Sequence, residues 1–156
     1  MAKNLSSHIN LENARDKEQR EIMEKLKKDK ICPFCEEGLR RCSINPPVLT
    51  RPYWILTTNH WPYDFTQHHF IAVHRKHIEN VREISPKAWN ELLSIFRYIE
   101  KHFRLKGGAI GIRFGDVTKT GATIGHLHAH LIVADTDTSK SGYKRVRFPM
   151  GPKPAL

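Results

Sequence analysis

Three histidines at alternating positions constrain this 156-residue chain more than any other feature. His126, His128 and His130 are separated by Leu127 and Ala129, and an apolar run, Leu-Ile-Val, follows them. Successive side chains of a β-strand point to opposite faces of the sheet. The pattern therefore predicts a strand with three imidazoles on one face and a hydrophobic core under the other. A chance surface strand has no need of imidazoles in line, which indicates a chemical role.

One long amphipathic helix and several strands are predicted elsewhere. Residues 86–106 predict the helix, because Ser85 is a good N-cap, Pro86 suits the first helical position and Gly107 follows the expected end. Its expected apolar face consists of Trp89, Leu92, Leu93, Phe96, Ile99 and Phe103. Strands are predicted at residues 53–58, 70–73, 109–114 and 126–133.

The remaining segments complete the predicted architecture. Residues 10–30 are dense in charge and predict a helix, either docked on the surface along part of its length or extended toward a partner. Residues 31–38 predict a tight knuckle that ends at Gly38, and residues 115–125 predict a polar loop. This order of elements, with short links between strands, predicts an antiparallel α+β domain rather than a doubly wound one.

The net charge of the chain restricts the classes of partner that it can bind. There are 26 Lys and Arg residues against 16 Asp and Glu residues, a net charge of +10 with neutral histidines. Such a field attracts phosphate groups of nucleotides, nucleic acid or a membrane surface, or it serves solubility alone. No apolar run reaches the roughly 18–20 residues that cross a bilayer, and no secretory signal is evident. A cytoplasmic protein without a membrane partner is therefore predicted.

A second motif carries metal chemistry. Cys32 and Cys35 flank a Pro-Phe pair, and two thiolates at this spacing can bind one zinc ion or form a redox pair. The redox interpretation needs a βαβ context that the pattern does not predict. We therefore favour zinc over a pair of simply buried thiols. Cys42 has no visible role.

Residues 126–132 resemble the His-φ-His-φ-His-φ-φ signature, with φ an apolar residue, of the histidine triad (HIT) superfamily of nucleotide hydrolases and transferases. The polar loop and the long helix precede the motif in the family's order. The resemblance covers residues 31–134 and implies a HIT-like fold, mainly antiparallel sheet with one long helix. Residues 1–30 would form an N-terminal helical extension and residues 135–156 a basic, Pro-containing tail. Family members are often homodimers, although no residue establishes one here.

The resemblance also implies roles for the histidines. The middle one, His128, matches the nucleophile that attacks the α-phosphorus of a nucleotide and forms a nucleotidyl-histidine intermediate. His130 would donate a hydrogen bond to a phosphate oxygen. In zinc-bearing members the turn before the helix and the first triad histidine supply ligands. The implied set of structural zinc (Zn²⁺) ligands is Cys32, Cys35, His77 and His126.

Substrate contacts follow from the same resemblance. Thr123 matches a phosphate contact, and Gly121 would let the backbone approach closely. Many relatives have Gln where this chain has Ala122, and the expected upstream Asn is missing. Arg113 lies near that place and either contacts phosphate or points outward. Asn59 begins an Asn-x-x-Pro-Tyr motif like that of transferase-type relatives, and it either faces the ribose or stabilises a turn.

The expected activity is nucleotidyl hydrolysis or transfer, with a nucleotide as substrate and water or inorganic phosphate as acceptor. A purine nucleotide or dinucleoside polyphosphate is the expected substrate class. One alternative is removal of adenylate from nucleic acid ends, which the charge allows but the absence of a nucleic-acid module does not favour. Another is a noncatalytic, zinc-stabilised nucleotide-binding protein, which would have no need of His128.

Overall fold

One antiparallel sheet organises the chain. The structure, a computed structural model, describes residues 8–42 and 45–154. Its sheet has five strands in the order β1-β2-β3-β5-β4, and every neighbouring pair is antiparallel. The strands are β1 (Leu49–Thr50), β2 (Trp54–Thr58), β3 (Thr66–His74), β4 (Ala109–Ile112) and β5 (His128–Ala134). The helices are α1 (Lys17–Lys28), α2 (Glu36–Arg41), α3 (Pro86–His102) and α4 (Val117–Thr120). This α+β architecture is the one the sequence predicts.

The first face of the sheet packs against α3. Alternate residues of β5, such as Ala129 and Leu131, share this face with Phe70 and Ala72 of β3 and with the helix. The buried helix residues are Ala88, Leu92, Ile95 and Ile99. Every member of this core is apolar, and burial of each large side chain contributes on the order of 1.5–3 kcal/mol.

The opposite face packs against the N-terminal segment. Ile71 and Val73 of β3 form a second core with Met23 and Leu26 of α1 and with the cysteine knuckle. Cys42 belongs to this core, where its side chain is buried. Both faces of the sheet are therefore covered, and His128 and His130 lie on the second face.

Backbone hydrogen bonds fasten the N-terminal segment to the loop before β5. Asn10 donates its backbone N–H to the Thr123 carbonyl, and the Gly125 N–H donates to the His8 carbonyl. Ile9 and Ile124 form a bridge between the same two segments. The segment is thus docked, and the alternative of an arm extended toward a partner is wrong.

Helix boundaries differ from the sequence-based prediction in two places. The region 10–30 is a 3₁₀ turn at Leu11–Asn13 followed by α1, whose N-cap is Asp16. Helix α3 ends at His102 rather than near residue 106, because Arg104 adopts a left-handed φ of 51°. The Leu105 N–H then donates to the Glu100 carbonyl, which satisfies an acceptor at the helix end.

The predicted apolar face of α3 is partly wrong. Trp89 and Leu93 are 48% and 53% exposed, whereas Ile95, which the prediction omitted, is fully buried. The side of α3 that contacts the sheet includes Ile95 and excludes the larger side chain of Trp89. Size alone therefore did not identify the buried face.

Gly38 does not end the knuckle but lies inside α2. A Cβ atom there would sit 2.0 Å from the Cys32 carbonyl oxygen. Only glycine permits this close approach of the helix to the cysteine turn.

The strand and loop limits also shift. Strand β3 is longer than residues 70–73, β4 stops at Ile112, and β5 starts two residues after His126. The predicted loop at residues 115–125 contains α4. Among the described residues, no helix combines the length and the apolar character needed to cross a bilayer.

Candidate active site

His128 lies at the start of β5 with one ring nitrogen fixed and the other open. Its Nδ1 is 2.7 Å from the His126 carbonyl oxygen. A carbonyl only accepts hydrogen bonds, so Nδ1 carries the proton and Nε2 keeps its lone pair. Burial lowers the pKa of His128 to about 4, against the effect of that hydrogen bond. The ring is therefore neutral near pH 7, which suits a nucleophile.

A chain of hydrogen bonds sets the proton of His130. The Tyr63 backbone N–H, which only donates, lies 3.1 Å from His69 Nδ1. His69 therefore carries its proton on Nε2 and donates it to His130 Nδ1 at 2.9 Å. The remaining proton of neutral His130 is then on Nε2. Burial lowers the pKa of His130 well below its ordinary value, which keeps the ring neutral.

Arg113 faces the same proton. Its Nη1 lies 3.3 Å from His130 Nε2, and its Nη2 donates to the Tyr63 hydroxyl at 2.8 Å. A guanidinium only donates, so with His130 protonated on Nε2 both groups of this 3.3 Å contact are donors. An oxygen atom of an anion that lies beside the pair, within hydrogen-bond distance of each nitrogen, would accept from both. The outward orientation considered for Arg113 is therefore wrong.

These groups line a cavity of about 580 Å³. One wall is apolar and consists of Met23, Phe34, Trp61, Ile71 and Ile124. The Phe34 ring packs edge-on against His128 with centroids 4.9 Å apart. The polar lining includes His128, His130, Asn59, Arg15 and Arg113, together with Asp64 and Lys153. A ligand with an aromatic end and an anionic end fits this division.

The C-terminal tail forms another wall. Phe148 lies 5.2 Å from His130 between ring centroids and beneath the Arg113 guanidinium at 3.8 Å. Arg113 Nε also donates to the Pro149 carbonyl at 2.9 Å. Gly111 allows the contact, since a Cβ there would be 2.8 Å from the Phe148 ring. The tail has no helix or strand in residues 135–154, yet it is part of the site.

The other predicted substrate contacts border the cavity but are partly engaged. Asn59 accepts the Trp61 N–H in a turn, so its structural interpretation holds, while its amide nitrogen lies near His69. Thr123 donates its hydroxyl to the Asn13 carbonyl rather than presenting it to the cavity. Gly121 has a φ of 74° and ends α4, beside the carbonyls of the tail.

The four predicted metal ligands come together. Cys32, Cys35, His77 and His126 have donor atoms within 4.8 Å of one another. His126 Nδ1 is 3.4 Å from Cys32 Sγ and 3.7 Å from Cys35 Sγ. His77 Nδ1 is 3.4 Å from Cys35 Sγ. In a zinc tetrahedron with ordinary bond lengths, sulfur and nitrogen lie about 3.5 Å apart.

The histidine tautomers also suit a metal. His126 Nε2 donates to the His74 carbonyl at 2.5 Å, which leaves the Nδ1 lone pair facing the thiols. Glu79 accepts from His77 Nε2 at 3.4 Å and has the same effect on that ring. His8, from the N-terminal segment, contacts the same carboxylate at 2.5 Å. The donor set and its orientation fit zinc.

The thiols are not suited to redox or nucleophilic chemistry on their own. Burial raises the pKa of Cys32 to about 12 and also raises that of Cys35. Reactive cysteines have lowered pKa values, so these groups stay protonated until a cation displaces the protons. Burial likewise raises the pKa of Cys42 to about 11.

Several residues of the site escaped sequence reasoning. Arg15 lies within a charged segment whose pattern gives no sign of a site. The tail residues around Phe148 have no periodicity that would dock them. Tyr63 belongs to the Asn-x-x-Pro-Tyr motif, which is the one signal that marked it. His69 is a further residue of the site, and it orients His130.

Comparison with solved structures identifies similar folds. A histidine triad protein from Clostridium difficile has 20% identity and a TM-score of 0.52, covering 76% of this chain and 96% of its own. A HIT family hydrolase from Clostridium thermocellum has 22% identity and a TM-score of 0.52, covering 72% and 96%. A hypothetical histidine triad nucleotide-binding protein from Sulfolobus tokodaii strain7 has 20% identity and a TM-score of 0.53, covering 78% and 81%.

Sequence comparison matches part of the chain to a family model. No curated protein sequence matches the chain. The HIT domain model matches residues 63–137, which include β3, α3, β4, β5 and all three triad histidines. The matched segment and the architecture around it agree: residues 63–137 match the HIT domain model, and the fold is similar to that of solved histidine triad proteins.

Proposed function

We propose that this protein is a nucleotidyl hydrolase or transferase that acts on the α-phosphate of a nucleotide through a nucleotidyl-His128 intermediate. The carrying observation is the tautomer of His128, with Nδ1–H held by the His126 carbonyl and Nε2 free of hydrogen bonds to the described residues. The ring lines the cavity. The Sulfolobus relative is described as nucleotide-binding and the Clostridium thermocellum relative as a hydrolase, and the proposal extends both properties to this chain.

Two displacements at phosphorus make up the reaction. In the first, the lone pair of His128 Nε2 forms a bond to the α-phosphorus, and the bond to the leaving oxygen or nitrogen breaks with its electron pair. In the second, water or inorganic phosphate forms a bond to phosphorus, and the P–N bond breaks. The pair of the broken P–N bond returns to Nε2, which restores His128 as the neutral imidazole. The acceptor releases one proton to solvent, and the leaving group keeps the electron pair of its own broken bond to phosphorus.

Neighbouring residues stabilise the charge on phosphate. His130 Nε2–H and Arg113 Nη1–H converge on one point at the cavity wall, and a nonbridging oxygen at that point would accept from both. Such donors are worth the most where they are already oriented before the charge develops. His69 positions His130 through the hydrogen bond at Nδ1.

Zinc is proposed as a structural cofactor held by Cys32, Cys35, His77 and His126. With four protein ligands the site is closed, so the ion supplies rigidity rather than a bound water. It would hold His126, whose carbonyl fixes the proton of His128. The ligand set supports a stabilising role beside the nucleophile and no role in the displacement.

We infer from the apolar wall that the nucleotidyl group transferred to His128 carries its nucleoside against this wall. Phe34 and Ile71 offer surface for a base, and Phe34 adjoins His128. Asn59 lies within the same cavity and is proposed as a ribose contact through its amide nitrogen. Gly121 and Thr123 are proposed to contact phosphate through backbone approach and the acceptor side of the hydroxyl.

The test is direct detection of the intermediate. Rapid acid-free quench of the wild-type protein with a dinucleoside triphosphate should show a mass increase of one nucleotidyl group on the peptide that contains His128. The bond should be acid-labile and alkali-stable, as for other P–N bonds to imidazole. His128→Gly should lower turnover by at least about 1,000-fold, because it removes the proposed nucleophile.

A second variant separates the role of the nucleophile from that of the residue that stabilises the phosphate charge. His130→Ala should lower the rate by about 10²–10³-fold and still form the adduct, because it removes one stabilising donor. Adding inorganic phosphate diverts the product from a nucleoside monophosphate to a diphosphate if phosphate is the acceptor. Full activity of His128→Gly, or an adduct on another residue, would overturn the mechanism.

Removal of adenylate from nucleic acid ends is the second candidate, and one observation favours it. A second cavity of about 690 Å³ contains Arg104, Lys106 and Arg145, and Phe148 lines it while contacting His130 in the first. Arg145→Gln should leave turnover of a free dinucleotide within about twofold if small nucleotides are the substrates. If nucleic acid is the substrate, the same variant should weaken binding and lower the salt slope by about one.

A further inference from the structure

Two arginines meet on the ring of Tyr63 at the His130 end of the cavity. The Arg15 guanidinium carbon lies 4.0 Å from the ring centroid, and Arg113 donates to the hydroxyl at 2.8 Å. Arg15 belongs to the N-terminal segment, outside residues 63–137 that match the family model. Arg15 precedes Asp16, the N-cap of α1. The Arg15 backbone N–H donates to the Gln19 side chain at 2.8 Å, which holds the backbone of Arg15 at the start of the helix.

No carboxylate of the described residues forms an ion pair with either arginine. Within residues 8–42 and 45–154, neither Arg15 nor Arg113 forms an ion pair, and the Arg15 guanidinium makes no hydrogen bond. Asp64 and Asp16 affect Arg15 through their charge and form no ion pair with it. Desolvation lowers the pKa of Arg15, and the charge of Arg113 lowers it further. Two cations held close together without an anion gain the most from an anionic ligand.

Arg15 and Arg113 lie at the His130 end of the cavity, whereas Phe34 of the apolar wall lies beside His128. Phe34 packs against His126 and His128, whereas Tyr63 stacks near His130 with centroids 6.1 Å apart. A nucleoside against Phe34 and a phosphorus atom at His128 leave the His130 end for the next group along the ligand. That end offers N–H donors from His130, Arg113 and Arg15. Asp64, the one carboxylate among the described residues that line the cavity, forms no ion pair with either arginine.

We propose that Arg15 is a specificity-determining residue, which with Arg113 binds the phosphate next to the attacked one. The inference rests on the proposed function of the cavity and names its substrate class. That class is nucleotides with two or more linked phosphates, not nucleotides whose leaving group is an uncharged amine. The N-terminal segment thereby contributes a substrate contact through residue 15, in addition to closing the second core.

The first experiment measures binding, which does not depend on turnover. Titration calorimetry with AMP and with ADP compares the wild-type protein with Arg15→Gln. Charge-assisted hydrogen bonds to phosphate predict that ADP affinity falls by about 10–100-fold, while AMP affinity changes by less than about threefold. Arg15→Lys should recover part of the loss, since it keeps the charge without the planar stack on Tyr63.

Lys17→Gln is the matched control. It removes the same charge from the same segment, and Lys17 is exposed, with an i,i+4 ion pair to Glu21 at 3.8 Å. ADP and AMP affinities should both be within about twofold of wild type, because exposed charges contribute little. Equal losses for both ligands in Arg15→Gln, or an unchanged ADP affinity, would overturn the inference.

A turnover experiment separates this inference from the proposed function. Arg15→Gln should lower kcat/KM for a dinucleoside triphosphate by about 10–100-fold and that for an adenosine phosphoramidate by less than about threefold. Failure to form the His128 adduct, with ADP discrimination intact, would remove the mechanism and keep the subsite. Failure of the wild-type protein to bind either nucleotide would overturn both.

Discussion

The two faces of the sheet bury different kinds of side chain. The face against α3 is mainly apolar, with His68 and His74 near the two ends of β3, whereas the opposite face carries His69, His128 and His130 beside Ile71 and Val73. The first face is filled by helix residues such as Ile95. The second is closed by the N-terminal segment, the cysteine knuckle and the tail, and it retains a cavity of about 580 Å³.

The difference shows where stability and chemistry reside. Burial lowers the pKa of His69 and His126 to about 3 and that of His128 to about 4. Each of these rings loses solvation that an apolar side chain would not need. The α3 face supplies compensating hydrophobic burial, so substitutions there should change stability and leave the chemistry intact.

The largest expected effect is on the free energy of unfolding when zinc is lost from the histidine-bearing face of the sheet. The purified protein should hold about one zinc ion per chain, and Cys35→Ser should lose it together with more than about 3 kcal/mol of unfolding free energy. The reason is that few apolar contacts replace the metal between the knuckle and His126. Elemental analysis and urea unfolding measure both quantities.

Cys42→Ser is the control for zinc, because Cys42 is buried on the same face without being a predicted ligand. It should retain the ion and cost about 1–3 kcal/mol for burial of a hydroxyl. A fully stable wild-type protein without zinc would contradict the metal prediction.

A smaller effect is expected from a cavity on the α3 face. Ile95→Ala removes a fully buried side chain and should cost about 2–5 kcal/mol in urea unfolding. Turnover per folded molecule should stay unchanged, because the helix lies across the sheet from His128. Leu93→Ala, on an exposed position of the same helix, should stay within about 0.5 kcal/mol of wild type. A large drop in kcat for Ile95→Ala would show that the faces are coupled.

The smallest effect concerns pH. Burial first, and then the charge of Arg15, lower the pKa of His69 from 6.5 to about 3. The unfolded chain therefore binds a proton at this residue between those values and the folded chain does not, so stability is lost as the pH falls below 6.5. At pH 5 the loss from this group is on the order of 2 kcal/mol.

His69→Gln checks that assignment. Urea unfolding at pH 7 and pH 5 should show a smaller loss in the variant than in wild type, by on the order of 2 kcal/mol. Equal losses in the two proteins would show that other groups carry the pH dependence. The variant should also lower turnover, since His69 positions His130.

Local sequence patterns predicted the main strands, the long helix and the strand face that carries the histidines. The alternation around His128 identified the strand and its two faces, because a strand imposes a period of two on any sequence. Ser85 and Pro86 correctly marked the start of α3, since capping is a local interaction. The end of α3 was misplaced, because a non-glycine residue, Arg104, adopts the left-handed conformation that Gly107 was expected to supply.

The metal cluster combines both sources of information. The spacing of Cys32 and Cys35 indicates a turn that can hold one ion, and the family resemblance supplied His77 and His126 as partners. The fold brings these four donors within 4.8 Å of one another by pairing β3 with β5 above the knuckle. The contribution of Glu79 and His8 to the orientation of His77 depends on the docked N-terminal segment.

The sequence by itself determined the α+β sheet, the face that carries the histidines and the identity of the nucleophile candidate. Only the tertiary structure placed Arg15 and Phe148 beside His130 and directed Arg113 inward. The physical reason is that alternation and capping act over a few residues and leave a record in the order of side chains. Contacts among residues 15, 63, 113 and 148 depend on how distant, aperiodic segments pack over the same cavity, and no local pattern encodes that packing.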